Sequence, residues 1–289
     1  MDLNLIYNND CLAGLKTLPD ECIDCCVTSP PYYHMRDYGI DGQVGLESTP
    51  EQYVCRLVDI FHEVRRVLKK EGTLWLNLGD CYYGSSKTMQ KNNPARMKGK
   101  DLIGIPWMTA FALRADGWYL RSDIIWEKAG PMPESVKDRC TKSHEHIFLL
   151  SKSPKYFYDY KAISEKSIWA EKDKRFTNGP TQSPRQSGSQ YQCKRSGVFS
   201  KDGLRNKRDV WKVKPACYKG AHFATFPKAL ITDCVKAGCP ANGIVLDPFM
   251  GAGTTGAVAR ILGRNYIGFE LNPAYVTLAN KRIEEETTI

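Results

Sequence analysis

The chain has no apolar run approaching the roughly 18 residues that a membrane-spanning helix requires, and its opening, MDLNLIYNND, lacks a basic start followed by an apolar stretch. Those absences argue against a membrane span and a secretory leader, so a cytoplasmic protein is expected. No internal repeat is present either. A disulfide framework is not expected although there are 11 cysteines, because disulfide-dense scaffolds are small secreted domains and this chain is long and carries no export signal. Cys22 and Cys25 have a Cys-x-x-Cys spacing, yet no second pair follows at finger-like distance. ECIDCCV alternates as a strand in which cysteine serves as a small hydrophobe, so free thiols and no metal are expected.

What is present is enough apolar material, 42% of 289 residues, to bury the core of one or two domains. The net charge of +9 is unevenly spread: residues 161–219 hold 15 Lys and Arg against five acids, and the rest of the chain sums to −1. That stretch is also rich in Ser, Gln and Gly, with Trp169, Phe176, Tyr191, Phe199 and Trp211 interleaved. It reads as a loop-rich insert. A disordered linker is one interpretation; concentrated cations among aromatics favour a nucleic-acid surface.

Either side of the insert, strand and helix patterns alternate. CIDCCVTS, TLWLNLGD, YLRSDIIWEK and HEHIFLLSKS read as strands, and residues 50–69 and 104–116 as helices. After the insert, TFPKALITDCVKAG reads as a helix with Thr225 near its cap and Pro227 in the first turn. The strand GIVLDPF, a glycine loop, a helix through residue 262, the strand NYIGFE and a helix from Pro273 follow. The expectation is an α/β fold, a doubly wound and mostly parallel sheet covered by helices. Its parts are a catalytic half over 1–160, the basic insert over 161–219 and a cofactor-binding half over 220–289.

In DPFMGAGTTG, residues 247–256, Gly251, Gly253 and Gly256 have G-x-G-x-x-G spacing after a strand and before a helix, and Glu270 closes the next strand. Bare glycine lets the backbone approach a ligand, the helix start offers N–H groups, and a strand-end carboxylate can accept both hydroxyls of a ribose. That arrangement suits an adenosine-containing cofactor. Asp247 beside the loop would repel a pyrophosphate and welcome an ammonium. Only 33 residues follow Gly256, too few for the second half of a dinucleotide domain. S-adenosylmethionine is therefore favoured over a nicotinamide dinucleotide or a purely structural turn.

The second distinctive stretch is TSPPYY, residues 28–33, at the end of an expected buried strand. Two adjacent prolines stiffen the corner, Ser29 supplies an oxygen acceptor with the Pro30 carbonyl, and Tyr32 a flat face. An aromatic amine is a poor nucleophile while its lone pair is delocalised into the ring. Fixed acceptors that draw on its N–H groups free that pair, and acceptors already in place need not reorganise in the transition state.

With these two motifs in this order the chain resembles the DNA amino-methyltransferases of the permuted β type, in which [ST]-[SD]-P-P-[YF] precedes the target-recognition region and F-x-G-x-G comes last. NNDC, GTLWLNLGD, DIIWEKAGPMP and HFATFP fall in the matching order. The resemblance implies a Rossmann-like methyltransferase fold, with S-adenosylmethionine as cofactor and duplex DNA as partner. It implies that Ser29, Pro30, Pro31 and Tyr32 hold a flipped base. Phe249, Gly251, Gly253, Thr254 and Asp247 would surround the methionine end, and Glu270 the ribose. Asp10 and Cys11 would lie at the adenine, and His222, Phe226 and Pro227 beside the methionine moiety. On the DNA side it suggests Trp126 and Lys128, although a core Trp with a solvated Lys is as good a reading, and Arg36 in YHMRDYG, which could simply be an exposed turn charge. Lys194, Arg195, Arg205, Lys207, Arg208 and Lys212 of the insert would meet DNA.

Serine at the second motif position usually accompanies N4 of cytosine and aspartate N6 of adenine; a neutral acceptor could serve either. Carbon-5 transfer needs a Pro-Cys nucleophile in the catalytic motif, and Cys239 precedes Pro240 in the opposite order. The expected reaction is base flipping and direct in-line transfer without metal or covalent enzyme intermediate; the final proton acceptor stays open. So do a companion restriction nuclease, the choice of monomer or homodimer, and the alternatives of an inactive DNA-binding scaffold or of RNA or protein as substrate.

Overall fold

The computed structural model describes residues 1–84, 98–131, 133–166, 203–215 and 226–288. They form two compact units, Met1–Asp159 with Asp209–Ile289, and Tyr160–Arg208.

The larger unit is built on an eight-stranded sheet. In chain order its strands are β1 (Leu5–Asn8), β2 (Ile23–Thr28), β3 (Leu68–Leu78), β4 (Tyr119–Lys128), β5 (His144–Ser151), β8 (Val210–Val213), β9 (Ile244–Asp247) and β10 (Asn265–Glu270). Across the sheet they run β1-β10-β9-β2-β3-β5-β4-β8. Only β5 is antiparallel to its neighbours, β3 and β4; the other pairs are parallel. The central strands are near-continuous apolar runs, as burial on both faces demands: in β2 Ile23, Cys25, Cys26 and Val27 are all buried. The nine described cysteines are free.

The helices are α1 (Cys11–Thr17), α2 (Pro50–Val67), α3 (Ile105–Ala115), α4 (Lys228–Gly238), α5 (Thr254–Ile261) and α6 (Pro273–Thr287). Several starts have a local cause. Thr49 caps α2, its hydroxyl accepting from Gln52 N at 3.2 Å, with Pro50 at the first helical position; Asn272 and Pro273 repeat the device at α6. Helix α2 buries Tyr53, Leu57, Ile60, Phe61 and Val64 at 0–1% exposure. At about 1.5–3 kcal/mol for each fully buried large side chain, that stripe far outweighs any propensity term. Asp80 caps α3 from a distance, accepting from Gly104 N and Ile105 N at 3.0 and 3.1 Å.

The structure departs from the sequence expectations in places. Strand β1 was not anticipated; four residues beside Asn9 and Asp10 carry too short a pattern. The basic stretch also ends earlier than 219, because residues 210–213 join the main sheet as β8 against β4, burying Trp211 at 5% exposure. Pro227 caps α4 from outside its first turn, with extended backbone; Thr225 lies outside the described residues. The smaller unit contains a two-stranded antiparallel ribbon, β6 (Glu165–Lys166) with β7 (Leu204–Arg205).

No helix among the described residues is long and apolar enough to cross a membrane.

Candidate functional site

Parallel order decides where the two motifs meet. Strands β2 and β9 are neighbours, with Cys26 opposite Leu246, so the chain leaves both at the same edge of the sheet although the motifs are about two hundred residues apart in sequence. Strands β10, β1, β3 and β4 end at that edge as well, and antiparallel β5 begins there, with Leu78 opposite His146 and Trp126 opposite Glu145. Such an edge is where open α/β sheets bind ligands. Here it holds a cavity of about 380 Å³.

Ser29, Pro30, Pro31 and Tyr32 line it on one side and Phe249, Gly251, Ala252, Thr254 and Glu270 on the other. Asp10 and Cys11 enter from the start of α1, Arg36 from the segment after the proline corner, Trp126 and Lys128 from the end of β4, and Phe226 from the approach to α4. Most of the expected site is thereby gathered in one place.

Several expected residues are placed elsewhere. Asp247 is 1% exposed and does not line the cavity: Thr28 Oγ1 and Thr255 Oγ1 donate to its two oxygens at 2.6 Å each, and Phe249 N donates at 3.0 Å. Its carboxylate pins β2, the glycine loop and α5 together, and is not presented to a ligand ammonium. Burial pushes its pKa up to about 6, against the opposing pull of its donors. Gly253 also stays out of the lining. It has φ of 76°, and a Cβ there would stand 2.9 Å from the Ala279 Cβ, so glycine serves the turn and the packing of α6. A Cβ on Gly256 would likewise meet Ile283 of α6, at 2.6 Å. Pro227 is buried at the head of α4 and outside the lining. His222, Lys194 and Arg195 lie outside the described residues. Arg205 and Arg208 belong to the smaller unit, where their Nε atoms donate to Glu165 at 2.9 and 2.7 Å. Lys207 is in that unit too, whereas Lys212 sits on β8 and pairs with Glu127 of β4.

At the cofactor side, Gly251 takes φ of 51° and its N–H donates to Glu270 Oε2 at 2.8 Å, while Asn272 N donates to Oε1 at 2.8 Å. Burial raises the Glu270 pKa and these donors oppose the rise. A carboxylate has about four acceptor sites, so Glu270 keeps capacity for two hydroxyls. A pyrophosphate at this loop would confront that carboxylate and find the Gly251 N–H already engaged. Asp10 uses Oδ1 to cap α1, accepting from Ala13 N at 2.9 Å.

At the corner, the Pro31 carbonyl accepts from Tyr53 Oη at 2.9 Å, and the Tyr32 ring lies against Gly79, where a Cβ would come within 2.6 Å of Cε2. The Tyr32 hydroxyl donates to Glu145 Oε2 at 2.6 Å, and Ser29 Oγ donates to the Tyr32 oxygen at 3.3 Å. Asn77 Nδ2 donates to the same Glu145 oxygen at 3.2 Å, and Lys128 forms an ion pair with the other. The Lys128 ammonium stands 5.0 Å from the Trp126 ring centroid, and Trp126 Nε1 donates to the Val213 carbonyl at 2.9 Å. Trp126 is thus a buried core side chain that also lines the cavity, and Lys128 is ion-paired with Glu145 instead of standing solvated. Asn77 and Glu145 were missed by sequence reasoning. A signal existed: Glu145 shares strand parity with Ile147 and Leu149, an acid on the inward face of an apolar strand. Burial pushes the Cys11 thiol up to about 12, so the one cysteine among the lining residues is no thiolate.

A family profile described as DNA methylase matches residues 23–281. Among relatives, the Type II methyltransferase M.Cfr9I of Citrobacter freundii is 47% identical, covering 98% of this chain and 88% of its own length. The Type II methyltransferase M.SmaI of Serratia marcescens is 44% identical over 96% of this chain and 90% of its own. Among solved structures, PvuII DNA methyltransferase (cytosine-N4-specific) superposes with TM-score 0.68 at 17% identity, covering 98% of this chain and 90% of that one. A putative DNA modification methylase of Thermus thermophilus, complexed with S-adenosyl-L-methionine, gives 0.64 at 24% identity over 98% and 94%.

Proposed function

The chain belongs to the DNA methylase family, and we propose that it transfers a methyl group from S-adenosylmethionine to the exocyclic N4 amine of cytosine in duplex DNA. The observation that carries this reading is the opening of the Ser29–Tyr32 corner, the glycine turn at Gly251 and Glu270 onto one cavity.

The cofactor half of that cavity suits an adenosine with a sulfonium arm. Glu270 can accept from a ribose, Phe249 offers apolar surface, and the Gly251 N–H that a pyrophosphate would use is already held by Glu270. When bound, the cofactor supplies an electrophilic methyl. The remaining work falls to the chain: the proline corner holds the amine in line with that methyl at about 3 to 3.5 Å, and Ser29 Oγ accepts from the amine. Extruding a base from the duplex costs a few kcal/mol. Cations of the basic stretch, Arg205, Lys207 and Arg208 among them, together with Lys212 of β8, would offset this through salt-dependent phosphate contacts. A carbon-5 mechanism is disfavoured, because the catalytic corner Thr28–Tyr33 holds no cysteine.

Cytosine is preferred over adenine on two supports, serine at position 29 and the cytosine-N4 specificity of the PvuII neighbour. The relatives' designation as Type II methyltransferases supports a companion nuclease for the same site. Reaction of the purified protein with unmodified duplex, digestion to nucleosides and mass spectrometry test the proposal. N4-methylcytosine is expected, N6-methyladenine would replace the base assignment, and no methylated nucleoside would refute the activity.

A further inference from the structure

We propose that Glu145 is the positioning residue of the transfer step and its terminal proton acceptor, acting on Ser29 through the Tyr32 hydroxyl. This rests on the reading of the cavity as the seat of a flipped amine.

Glu145 stands on β5 at 8% exposure, where a carboxylate is costly unless paired and hydrogen-bonded. Lys128, Tyr32 and Asn77 supply those partners. An ionised carboxylate only accepts, and that fixes the direction of the chain of hydroxyls. Tyr32 has one proton to give and two acceptors in reach, Glu145 Oε2 at 2.6 Å and Asn77 Oδ1 at 3.3 Å. The shorter, charge-assisted bond is the stronger, so the phenol points at Glu145. Its oxygen is then left to receive the Ser29 proton at 3.3 Å, and Ser29 Oγ turns its lone pairs to the amine. The 3.3 Å contact is long, as catalytic hydrogen bonds commonly are before substrate closes them. Burial and the neighbouring Glu145 hold the Tyr32 pKa well above the usual phenol range, which keeps it a donor.

The same chain settles the proton. As the amine nitrogen forms its bond to the methyl and the sulfonium–carbon bond breaks, the nitrogen becomes cationic. One N–H bond then breaks to Ser29 Oγ while the Ser29 proton passes to Tyr32 Oη and the Tyr32 proton to Glu145 Oε2. Both hydroxyls end as they began, the methylated base is neutral, and Glu145 holds the proton until it returns to water.

The test uses the full chain, tritiated S-adenosylmethionine and a long unmodified duplex made by amplification, with single-turnover transfer and both dissociation constants measured. Glu145→Gln should slow transfer about 100-fold or more with both constants within twofold of the parent, and Tyr32→Phe should do the same. Glu145→Asp, which keeps the charge, should retain more than a tenth of the rate. The double variant Lys128→Met/Glu145→Gln should stay as slow as Glu145→Gln. Recovery in the double variant would show that an orphaned ammonium caused the loss and would overturn the proposal, as would Glu145→Gln or Tyr32→Phe transferring within threefold of the parent. The nucleoside formed by the parent is scored separately: N6-methyladenine would sink the cytosine assignment and leave the Glu145 comparison standing.

Discussion

Replacing Thr255 by valine tests how the glycine loop is held. The two side chains have nearly the same shape, so the change removes one O–H donor to Asp247 Oδ2 without opening a cavity. Asp247 is fully enclosed and keeps two donors, Thr28 Oγ1 and Phe249 N. A hydrogen bond to a charged group contributes about 1.5–3 kcal/mol and a neutral one about 1 kcal/mol, so the loss depends on the protonation of Asp247. Its folded pKa, raised by burial from 3.8 to about 6, means that the folded state binds more protons between those values. Stability from this group therefore falls as pH rises through that window, by about 3 kcal/mol in all, and is flat above it. Removing a donor raises the folded pKa further. Urea unfolding of Thr255→Val followed by tryptophan fluorescence should accordingly show a deficit of about 2 kcal/mol at pH 8 that shrinks to about 1 kcal/mol at pH 5. A deficit below about 0.5 kcal/mol at pH 8, or one that grows on acidification, would refute the bracing role and return Asp247 to the ligand side of the loop.

Other consequences are simpler to test. Gly79→Ala brings a methyl within 2.6 Å of the Tyr32 ring and should cut kcat at least tenfold, by displacing the base platform, while cofactor affinity by calorimetry stays within about threefold. Gly253→Ala combines a left-handed backbone with a methyl 2.9 Å from Ala279. It should cost about 2–4 kcal/mol in chemical unfolding, and a neutral effect would remove the packing explanation for this glycine. Neutralising Lys207, Arg208 and Lys212 together should weaken duplex binding and lower the slope of log K against log salt by about 0.9 for each cation that meets a phosphate. An unchanged slope would take these residues off the DNA face.

Much of the architecture was legible because it is written in strong local patterns. The apolar run of β2, the capped stripe of α2 and the glycine turn before α5 each have one physical solution, and parallel strands carry their C-terminal ends to one edge. The remaining features depend on tertiary partners. Asp247 could not be read as bracing, since Thr28 stands 219 residues before it in sequence. Gly253 resembles a ligand-facing glycine until α6 is packed on it. Glu145 and Asn77 have no motif around them and matter only because β3, β5 and the proline corner bring them to Tyr32. Strand β8 was hidden in a basic, loop-like stretch, its membership in the sheet decided by Trp211 against Trp75 and by the register with β4.

The central claim is that the proline corner and the glycine loop hold an amine and a methyl donor face to face, and a crystal structure of the protein with unmodified target duplex and a non-transferable analogue of the cofactor measures it. The account predicts an extruded cytosine with its N4 hydrogen-bonded to Ser29 Oγ and lying about 3 to 3.5 Å from the analogue atom that replaces the methyl. A target base seated away from Ser29, or an analogue bound anywhere but against Gly251 and Glu270, would contradict it.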